Sequence, residues 1–361
     1  MKKILIAARD LNIGGIEKSL IILVDYLIEH GYIVSLVLEK IEGDLLKNLN
    51  SSVKVIKYMP CSIKFRIIRK TINFFKRIKF CFKYSKKYDV AISYATYSKV
   101  SSYVARCASE NSILWCHANY MDVFKQNKKL FKKFFQELSY NNFSKIVFVS
   151  KSAQKCFLEV FPEKKNTYFC NNIVRDKEII EKSNEQIELH LEDNNITFLN
   201  VGRHDEKQKK ITRIIEATKM LKKEDYKFKV LFVGNGKDTE KYKDMVQKNN
   251  LDNTIVFVGA KENPYPYYKI ADAVVLSSDY EGYPVVFLES YILNKPIITT
   301  EVSDYEDIKE KRGIVVEKSV QGIYKGMKEF LKNGYKIKKT FDFQAYNLSC
   351  IEKLNEILQK F

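Results

Sequence analysis

The segment that decides the fold of the second half is Glu281-Gly282-Tyr283-Pro284-Val285-Val286-Phe287-Leu288-Glu289, which follows the strand-like run Ala273-Val274-Val275-Leu276. Pro284 predicts the start of a helix, because its fixed φ suits the first turn and its missing N–H is not needed there. Such a helix presents free N–H groups and its positive dipole end to an anion. Glu281 then lies in the preceding loop, and Glu289 lies about 7–8 Å along the helix axis.

This segment predicts an anion site with a carboxylate on either side. A ligand with phosphate in the middle and hydroxyl groups at both ends suits that arrangement, and a nucleotide sugar is such a ligand. We therefore expect the segment to bind a nucleotide sugar, through the residues Glu281, Gly282, Tyr283, Pro284, Val285 and Glu289.

Short strand-like runs alternate with helical patterns throughout the chain. The predicted strands are Lys3–Ala8, Ile33–Leu38, Val53–Ile56, Val90–Ser93, Ile113–Trp115, Ile146–Val149, Thr197–Val201, Lys229–Val233, Ile255–Val258, Ala273–Leu276 and Ile297–Thr300. The alternation predicts an α/β fold of parallel sheets, which bind ligands at the carboxyl ends of their strands. With 361 residues, two domains are expected. The polar stretch 176–195 places the boundary after residue 175, so the domains are 1–175 and 176–343.

The composition of the chain limits which partners, cellular compartment and cofactors are expected. The formal net charge of +18 implies an anionic partner, which is a nucleic acid, a lipid headgroup or a phosphorylated substrate. The seven cysteines form no CxxC pair, and the first residues do not resemble a signal peptide, so a cytosolic protein with reduced thiols is expected. There is no D-x-D triplet and no zinc pattern, so neither a metal nor another cofactor is expected.

Two basic clusters stand out in the first half. Residues Lys64–Lys87 contain ten Lys/Arg and no acid, with apolar residues spaced for one helical face at Ile67, Phe74, Phe75, Ile78 and Phe82. Residues Lys125–Lys133 are interleaved with Phe131 and continue into Phe134 and Phe135. Basic helices with aromatic residues are typical of contact with an anionic membrane surface. Ordinary solvated helices are the alternative.

Several loops after strands carry candidate site residues. Gly14-Gly15 follows the first strand and is predicted to start a helix. The free N–H groups of that helix start would bind an anion. The alternative is that the two glycines only form a tight turn. Gly202-Arg203 and the following lysines offer a guanidinium fork and mobile charges for phosphate oxygens, unless they are solvated surface. His117 ends a strand, where a neutral imidazole contacts a substrate or is purely structural. Asn263 is predicted to start a helix, which is a structural role. The functional alternative is that the backbone of this loop contacts a nucleotide base. Neither a GxGxxG dinucleotide fingerprint nor a P-loop is present.

The order Gly14-Gly15-x-Glu17, His117, Gly202-Arg203 with Lys209, Gly234-x-Gly236 and Glu281-(x)7-Glu289 resembles retaining glycosyltransferases of family 4. These are the group 1 glycosyltransferases with the GT-B fold, in which two Rossmann-like doubly wound parallel-sheet domains face each other across a cleft. The loops around Gly202 and Asn263 look most like those of capsule, O-antigen and other surface-polysaccharide enzymes. The resemblance implies that a C-terminal helix, about 344–361, packs back on the first, acceptor-binding domain.

The resemblance also implies residue roles. Arg203 and Lys209 would bind the donor diphosphate, Glu289 the ribose hydroxyls, and Glu281 the donor sugar. His117 would contact the sugar near the reacting carbon, and Gly14-Gly15 would line the cleft. Many relatives carry Lys-Gly where this chain has Lys209-Lys210, so Lys207 remains an alternative. We prefer Lys209 because it lies eight residues before Ala217, the usual spacing.

These inferences predict a metal-independent, retaining hexosyltransferase. It moves a sugar from a UDP- or GDP-sugar to a glycan, carried on polyprenyl diphosphate, for capsule or lipopolysaccharide synthesis. It is expected in the cytoplasm, bound peripherally to the inner face of the plasma membrane, with no nucleic-acid partner. The alternatives are a nucleotide-sugar epimerase of the same fold, a transferase with a soluble acceptor, a sugar-binding protein, and a basic nucleic-acid-binding protein.

Overall fold

The structure is a computed structural model that describes residues 1–189, 195–309 and 311–359. The chain divides into two compact units, Met1–Val174 with Asn347–Phe361, and Arg175–Tyr346. Residues 190–194 of the predicted linker and residues 360–361 of the predicted C-terminal helix lie outside the described residues.

The first unit is a seven-stranded parallel sheet with helices between its strands. In chain order its elements are β1 (Lys3–Ala8), α1 (Gly15–Glu29), β2 (Ile33–Leu38), β3 (Lys54–Lys57), α2 (Arg66–Tyr84), β4 (Val90–Ser93), α3 (Lys99–Ala108), β5 (Ser112–Cys116), α4 (Tyr120–Val123), α5 (Lys128–Glu137), β6 (Lys145–Phe148), α6 (Lys151–Val160) and β7 (Thr167–Phe169). Short 3₁₀ helices span Asp44–Asn48 and Tyr140–Asn142. The strand order is β3-β2-β1-β4-β5-β6-β7.

The second unit repeats this architecture with six parallel strands. Its elements are α7 (Asp176–Lys182), β8 (Ile196–Val201), α8 (Ile211–Lys222), β9 (Phe228–Val233), α9 (Thr239–Lys248), β10 (Ile255–Gly259), α10 (Tyr265–Ile270), β11 (Ala273–Leu276), α11 (Val285–Ile292), β12 (Ile297–Thr300), β13 (Gly313–Val316) and α12 (Val320–Asn333), with a 3₁₀ helix at Tyr305–Asp307. The strand order is β10-β9-β8-β11-β12-β13. In both sheets the order reverses beside the first strand, which is the point where doubly wound sheets bind ligands.

The predicted α/β class and parallel sheets are confirmed, and every predicted strand overlaps an observed one. The central strands are buried on both faces, which explains why they read as continuous apolar runs. Two edge strands, β7 and β13, were not predicted. They are short and mostly half-buried, so they carry a weak hydrophobic signal.

The C-terminal helix α13 (Phe343–Gln359) belongs to the first unit from Asn347 onward. The side chain of Asn347 exchanges hydrogen bonds with the backbone N–H and carbonyl of Val174, at 3.0 and 2.9 Å. The buried Lys145 donates from Nζ to the carbonyl oxygen of Ile357 at 2.5 Å. Cys350, Leu354, Ile357 and Leu358 are buried. This helix is therefore part of the first unit's core.

The structure joins Cys81 of α2 to Cys107 of α3 in a disulfide. The expectation of seven reduced thiols is therefore wrong for this pair. The two cysteines are 26 residues apart and belong to no motif, so only the packing of α2 against α3 brings them together. Within the described residues, no helix is long and apolar enough to cross a membrane.

Two leucines of α13 test its place in the core. Leu354 is buried, whereas Leu348 is 58 % exposed. We expect Leu354→Ala to lower the free energy of unfolding by about 2–5 kcal/mol, because it leaves a cavity in a packed core. Leu348→Ala should change it by less than about 0.5 kcal/mol. The measurement is denaturant unfolding followed by the fluorescence of Trp115, the single tryptophan of the chain, which lies in the first unit. Equal effects of both substitutions would contradict this packing.

Candidate active site

The loop after β8 is held in place by the glycine turn after β9. The backbone N–H of Gly202 donates to the carbonyl of Val233 at 3.0 Å, and that of His204 donates to Asn235 at 3.0 Å. A Cβ on Gly234 would overlap the carbonyl oxygen of Gly202, and one on Gly236 would overlap that of His204. Glycine is therefore required at both positions of the Gly234-x-Gly236 turn, because the two loops touch through their backbones.

Asp205 shapes the basic part of this loop. Its carbonyl accepts hydrogen bonds from the backbone N–H groups of Gln208 and Lys209, at 3.1 and 2.8 Å. Its carboxylate accepts from the backbone of Lys207 at 3.0 Å and pairs with Lys237 at 3.1 Å. Burial raises the pKa of Asp205, but the Lys237 and Lys207 hydrogen bonds outweigh it, and the net pKa is lowered. The carboxylate that organises the loop is thus ionised at neutral pH.

Lys209 and Glu281 form an ion pair in the second unit. Lys209 Nζ lies 2.6 Å from Glu281 Oε1, and both side chains are largely shielded from solvent. The same oxygen accepts a hydrogen bond from Ser278 at 2.7 Å, and Gln208 Nε2 lies 3.3 Å from Oε2. The hydrocarbon stem of Lys209 lies against Gly202. The structure therefore brings together three predicted site residues from two loops.

Neighbouring residues fix this pair. Ser277 Oγ donates to the backbone carbonyls of Lys209 and Lys210, at 2.8 and 2.9 Å. The backbone N–H of Asp279 donates to Gln208 at 2.8 Å, so the loops after β8 and β11 are tied at several points. By contrast the side chains of Lys207 and Arg203 are exposed. The charge of Arg203 lowers the pKa of Asp205 slightly and opposes the burial that raises the pKa of Tyr280, so Arg203 lies in the same neighbourhood.

Glu289 lies on α11 and is buried. Tyr268 of α10 donates its hydroxyl hydrogen to Glu289 Oε2 at 2.6 Å. Burial first, and the negative charge of Glu289 second, raise the pKa of Tyr268 and also that of Tyr265. Both hydroxyls therefore stay protonated and can donate to this carboxylate. Sequence reasoning missed the two tyrosines, although the run Tyr265-Pro266-Tyr267-Tyr268 directly follows the predicted helix start at Asn263.

The turn between the two glutamates has the predicted strand–loop–helix order, with one correction. Helix α11 begins at Val285, so Pro284 is the residue before the helix rather than its first residue, and it has extended backbone dihedrals. The reason is that a proline ring constrains only φ, and ψ here is 124°. The carbonyl of Gly282 accepts a hydrogen bond from the Ser303 hydroxyl. Tyr283 is buried and packs edge-on against Phe287.

Asn263 has the structural role that the sequence predicted. Its Oδ1 accepts from the backbone N–H of Tyr265 at 3.1 Å, which caps the start of α10. Its Nδ2 donates to the carbonyl of Lys182 at the end of α7, at 2.9 Å. A backbone contact between this loop and a bound base remains a prediction.

The remaining predicted site residues lie in the first unit. Gly14 directly precedes α1 and Gly15 is its first residue. A Cβ on Gly14 would overlap the carboxylate of Glu17, which folds back over the helix start. His117 follows β5 and is buried, and its Nε2 has no hydrogen-bond partner among the described residues. Its ring lies 4.2 Å from that of Tyr94, whose hydroxyl lies 2.9 Å from Ser19 Oγ of α1. Burial lowers the pKa of His117 to about 3, so the imidazole is neutral at pH 7.

Comparison with known proteins finds a family match in the second unit. Residues 181–347 match the family described as glycosyl transferases group 1. The match confirms, over this part of the chain, the resemblance to group 1 glycosyltransferases that the motifs indicated.

Three relatives are similar in sequence. An uncharacterized glycosyltransferase of Methanocaldococcus jannaschii is 29% identical over 52% of this chain and 48% of its own length. The capsular polysaccharide biosynthesis glycosyltransferase CapH of Staphylococcus aureus is 25% identical over 53% of this chain and 51% of its own length. The amylovoran biosynthesis glycosyltransferase AmsD of Erwinia amylovora is 24% identical over 42% of this chain and 45% of its own length. The chain thus matches about half the length of these curated relatives.

Solved structures extend the likeness in fold to the whole chain. HepE of Anabaena, in complex with UDP and glucose, has a TM-score of 0.76 at 16% identity, over 98% of this chain and 100% of that one. Sucrose-phosphate synthase from Thermosynechococcus elongatus has a TM-score of 0.75 at 15% identity, over 99% of this chain and 96% of that one. These similarities show the GT-B fold.

The burial of His117 predicts that the free energy of unfolding depends on pH. Its pKa is about 3 in the folded protein and near 6.5 when unfolded, so the unfolded chain binds the extra proton between these values. The free energy of unfolding should therefore fall as pH drops below 6.5, with a contribution of up to about 1.4 kcal/mol per pH unit. His117→Asn should remove that contribution. Unfolding followed by Trp115, whose ring lies 6.4 Å from that of His117, measures the slope. Parallel curves for the two proteins would show that His117 is not shielded from protons.

Proposed function

We propose that this protein is a retaining glycosyltransferase that moves a sugar from a UDP- or GDP-sugar to a growing surface-polysaccharide glycan. The observation that carries the proposal is the Lys209–Glu281 pair, a shielded cation and carboxylate held at the ends of β8 and β11 in the segment matched by group 1 glycosyltransferases. Similar sequences named for capsular polysaccharide and amylovoran biosynthesis support the choice of pathway class. A neighbour in fold that holds UDP and glucose supports the choice of donor class.

In this proposal each predicted residue has a defined part. Arg203 and Lys209 bind the donor diphosphate, and the backbone N–H groups at the start of α11 add positive potential. Glu289, oriented by Tyr268, accepts hydrogen bonds from the ribose hydroxyls. Glu281 accepts from the donor sugar when the ligand's phosphate draws Lys209 towards itself. The resting ion pair therefore holds both groups close to the positions they need.

The reaction breaks the bond between the anomeric carbon and the diphosphate oxygen, which leaves with the electron pair. Arg203 and Lys209 stabilise the charge that appears on the departing diphosphate. The acceptor hydroxyl forms the new bond on the same face, through an oxocarbenium-like state, and its proton passes to the departing diphosphate. His117 takes part in this proposal as a neutral imidazole, because burial lowers its pKa to about 3.

We propose that turnover needs no metal, because Arg203 and Lys209 supply the positive charge that a divalent ion supplies elsewhere. The expected behaviour is full activity in the presence of EDTA. Among the described residues there is no group of three or more His, Cys, Asp or Glu side chains that could hold a metal ion.

The acceptor is proposed to be a glycan on polyprenyl diphosphate at the inner face of the plasma membrane. The clusters Lys64–Lys87 and Lys125–Lys133 would attract the first unit to anionic lipids, with each cation near the surface adding about 1 kcal/mol. This attraction must weaken with salt, since the charges are exposed.

The experiment incubates the protein with a panel of nucleotide sugars, EDTA and a lipid-linked acceptor, and identifies the product by mass spectrometry and its anomeric configuration by NMR. A product that keeps the donor's configuration supports the proposal. Inversion would refute the retaining mechanism. Conversion of the nucleotide sugar without any acceptor would indicate an epimerase. Tight, salt-sensitive RNA or DNA binding with no turnover would indicate a nucleic-acid-binding protein.

Two lysines of one loop provide a matched comparison of catalytic roles. Lys209→Met should lower kcat by about 10²–10³, by analogy with the loss of one donor to a developing negative charge. Lys207→Met should leave kcat within about threefold, since that side chain is exposed and Lys209 is the one that contacts Glu281. The reverse result would assign the diphosphate to Lys207.

A further inference from the structure

The helix α2 turns its apolar side away from the protein. Phe80 is the buried residue of this helix. The side chains of Ile67, Phe74, Phe75, Ile78 and Phe82 are exposed, with Ile67 at 81% and Phe82 at 92%. Their spacing of three and four residues places them on one stripe along the helix.

The opposite side of α2 attaches the helix to the first unit. The ring of Phe80 packs 5.0 Å from Tyr58, and Asn73 exchanges hydrogen bonds with the backbone of Cys61 at 2.7 and 3.2 Å. Tyr103 of α3 donates to the carbonyl of Arg77 at 3.1 Å. A surface helix normally buries its apolar stripe. Here the anchoring side is the other one, so the orientation of the stripe is not explained by packing.

Charge decides what can cover this stripe. The segment Lys64–Lys87 carries ten cations and no acid, and these flank the apolar residues. A second copy of the same face would bring like charges together, which disfavours self-association. An anionic lipid surface instead offers phosphates to the cations and an apolar interior to the phenylalanines and isoleucines.

The second basic cluster behaves differently. On α5, Phe131 and Phe135 are buried in the first unit's core, and the lysines lie on the outside. Its aromatic residues therefore have a structural role, as in an ordinary amphipathic helix. Of these two helices, α2 combines cations with an outward apolar stripe and α5 does not, which makes α5 a natural control.

We propose that α2 is an interfacial helix that lies in the surface of an anionic bilayer, with Ile67, Phe74, Phe75, Ile78 and Phe82 inserted below the headgroups. This deepens the proposed function, on which it rests for the presence of a membrane-bound acceptor, by adding apolar insertion to electrostatic attraction. High salt should then weaken binding without abolishing it, because inserted phenylalanines are not screened.

The test is sedimentation of the full chain with vesicles of phosphatidylcholine, with and without phosphatidylglycerol, at about 0.1 M and about 1 M salt. We expect binding to the anionic vesicles, with a fraction that persists at high salt. The triple variant Phe74→Ser, Phe75→Ser, Phe82→Ser should bind at least about tenfold more weakly and lose the persistent fraction, because the inserted apolar area is gone. Its melting temperature should be unchanged, since these side chains are exposed.

Leu130→Ser on α5, a side chain that is 47% exposed, should leave binding unchanged. Three outcomes overturn the proposal: a triple variant that binds vesicles like the wild type, complete release of the wild type by salt, or a wild-type dimer that the triple variant loses. Turnover of the wild type on a water-soluble acceptor, measured alongside, reports on the proposed function independently of vesicle binding.

Discussion

The second unit's candidate site depends on the ion pair between Lys209 and Glu281. Each partner comes from the loop after a different strand, and the pair joins β8 to β11 where the strand order reverses. Because both side chains are largely shielded, removing one would leave the other charge without compensation, a loss of about 3–5 kcal/mol for a fully buried pair and less here. In the proposed function the same two groups bind the donor's diphosphate and sugar, so that stability and ligand binding would depend on one interaction.

Around that pair, the supporting contacts are mostly backbone contacts. The glycine turn at Gly234-x-Gly236 touches the loop at Gly202, and Asp205 holds the turn that leads to Lys209. Ser277 ties the same loop to β11. Such contacts place a cation accurately with little side-chain freedom, which favours electrostatic stabilisation of a developing charge. Glu289 is positioned in a similar way by Tyr268, from a separate helix.

The parts that sequence reasoning could predict are those with local signatures. Continuous apolar runs marked the central strands, and the spacing of Glu281, Pro284 and Glu289 marked the strand–loop–helix unit. The edge strands β7 and β13 were not predicted, because few of their residues are buried. The tyrosines beside Glu289 were not predicted as site residues, because they come from another helix, more than twenty residues earlier. Sequence reasoning favoured membrane contact for both basic clusters but did not distinguish α2 from α5, because an apolar stripe reads the same whether it faces core or solvent.

The most direct test of the central claim is a thermal-shift measurement with a panel of nucleotide sugars, in EDTA, on the wild type and on Glu289→Ala. The account predicts that one UDP- or GDP-sugar raises the melting temperature of the wild type and that Glu289→Ala loses most of this increase. A stabilisation of about 2.7 kcal/mol is expected at a donor concentration 100 times Kd. No shift with any nucleotide sugar, or a shift that Glu289→Ala leaves intact, would contradict the proposed donor site.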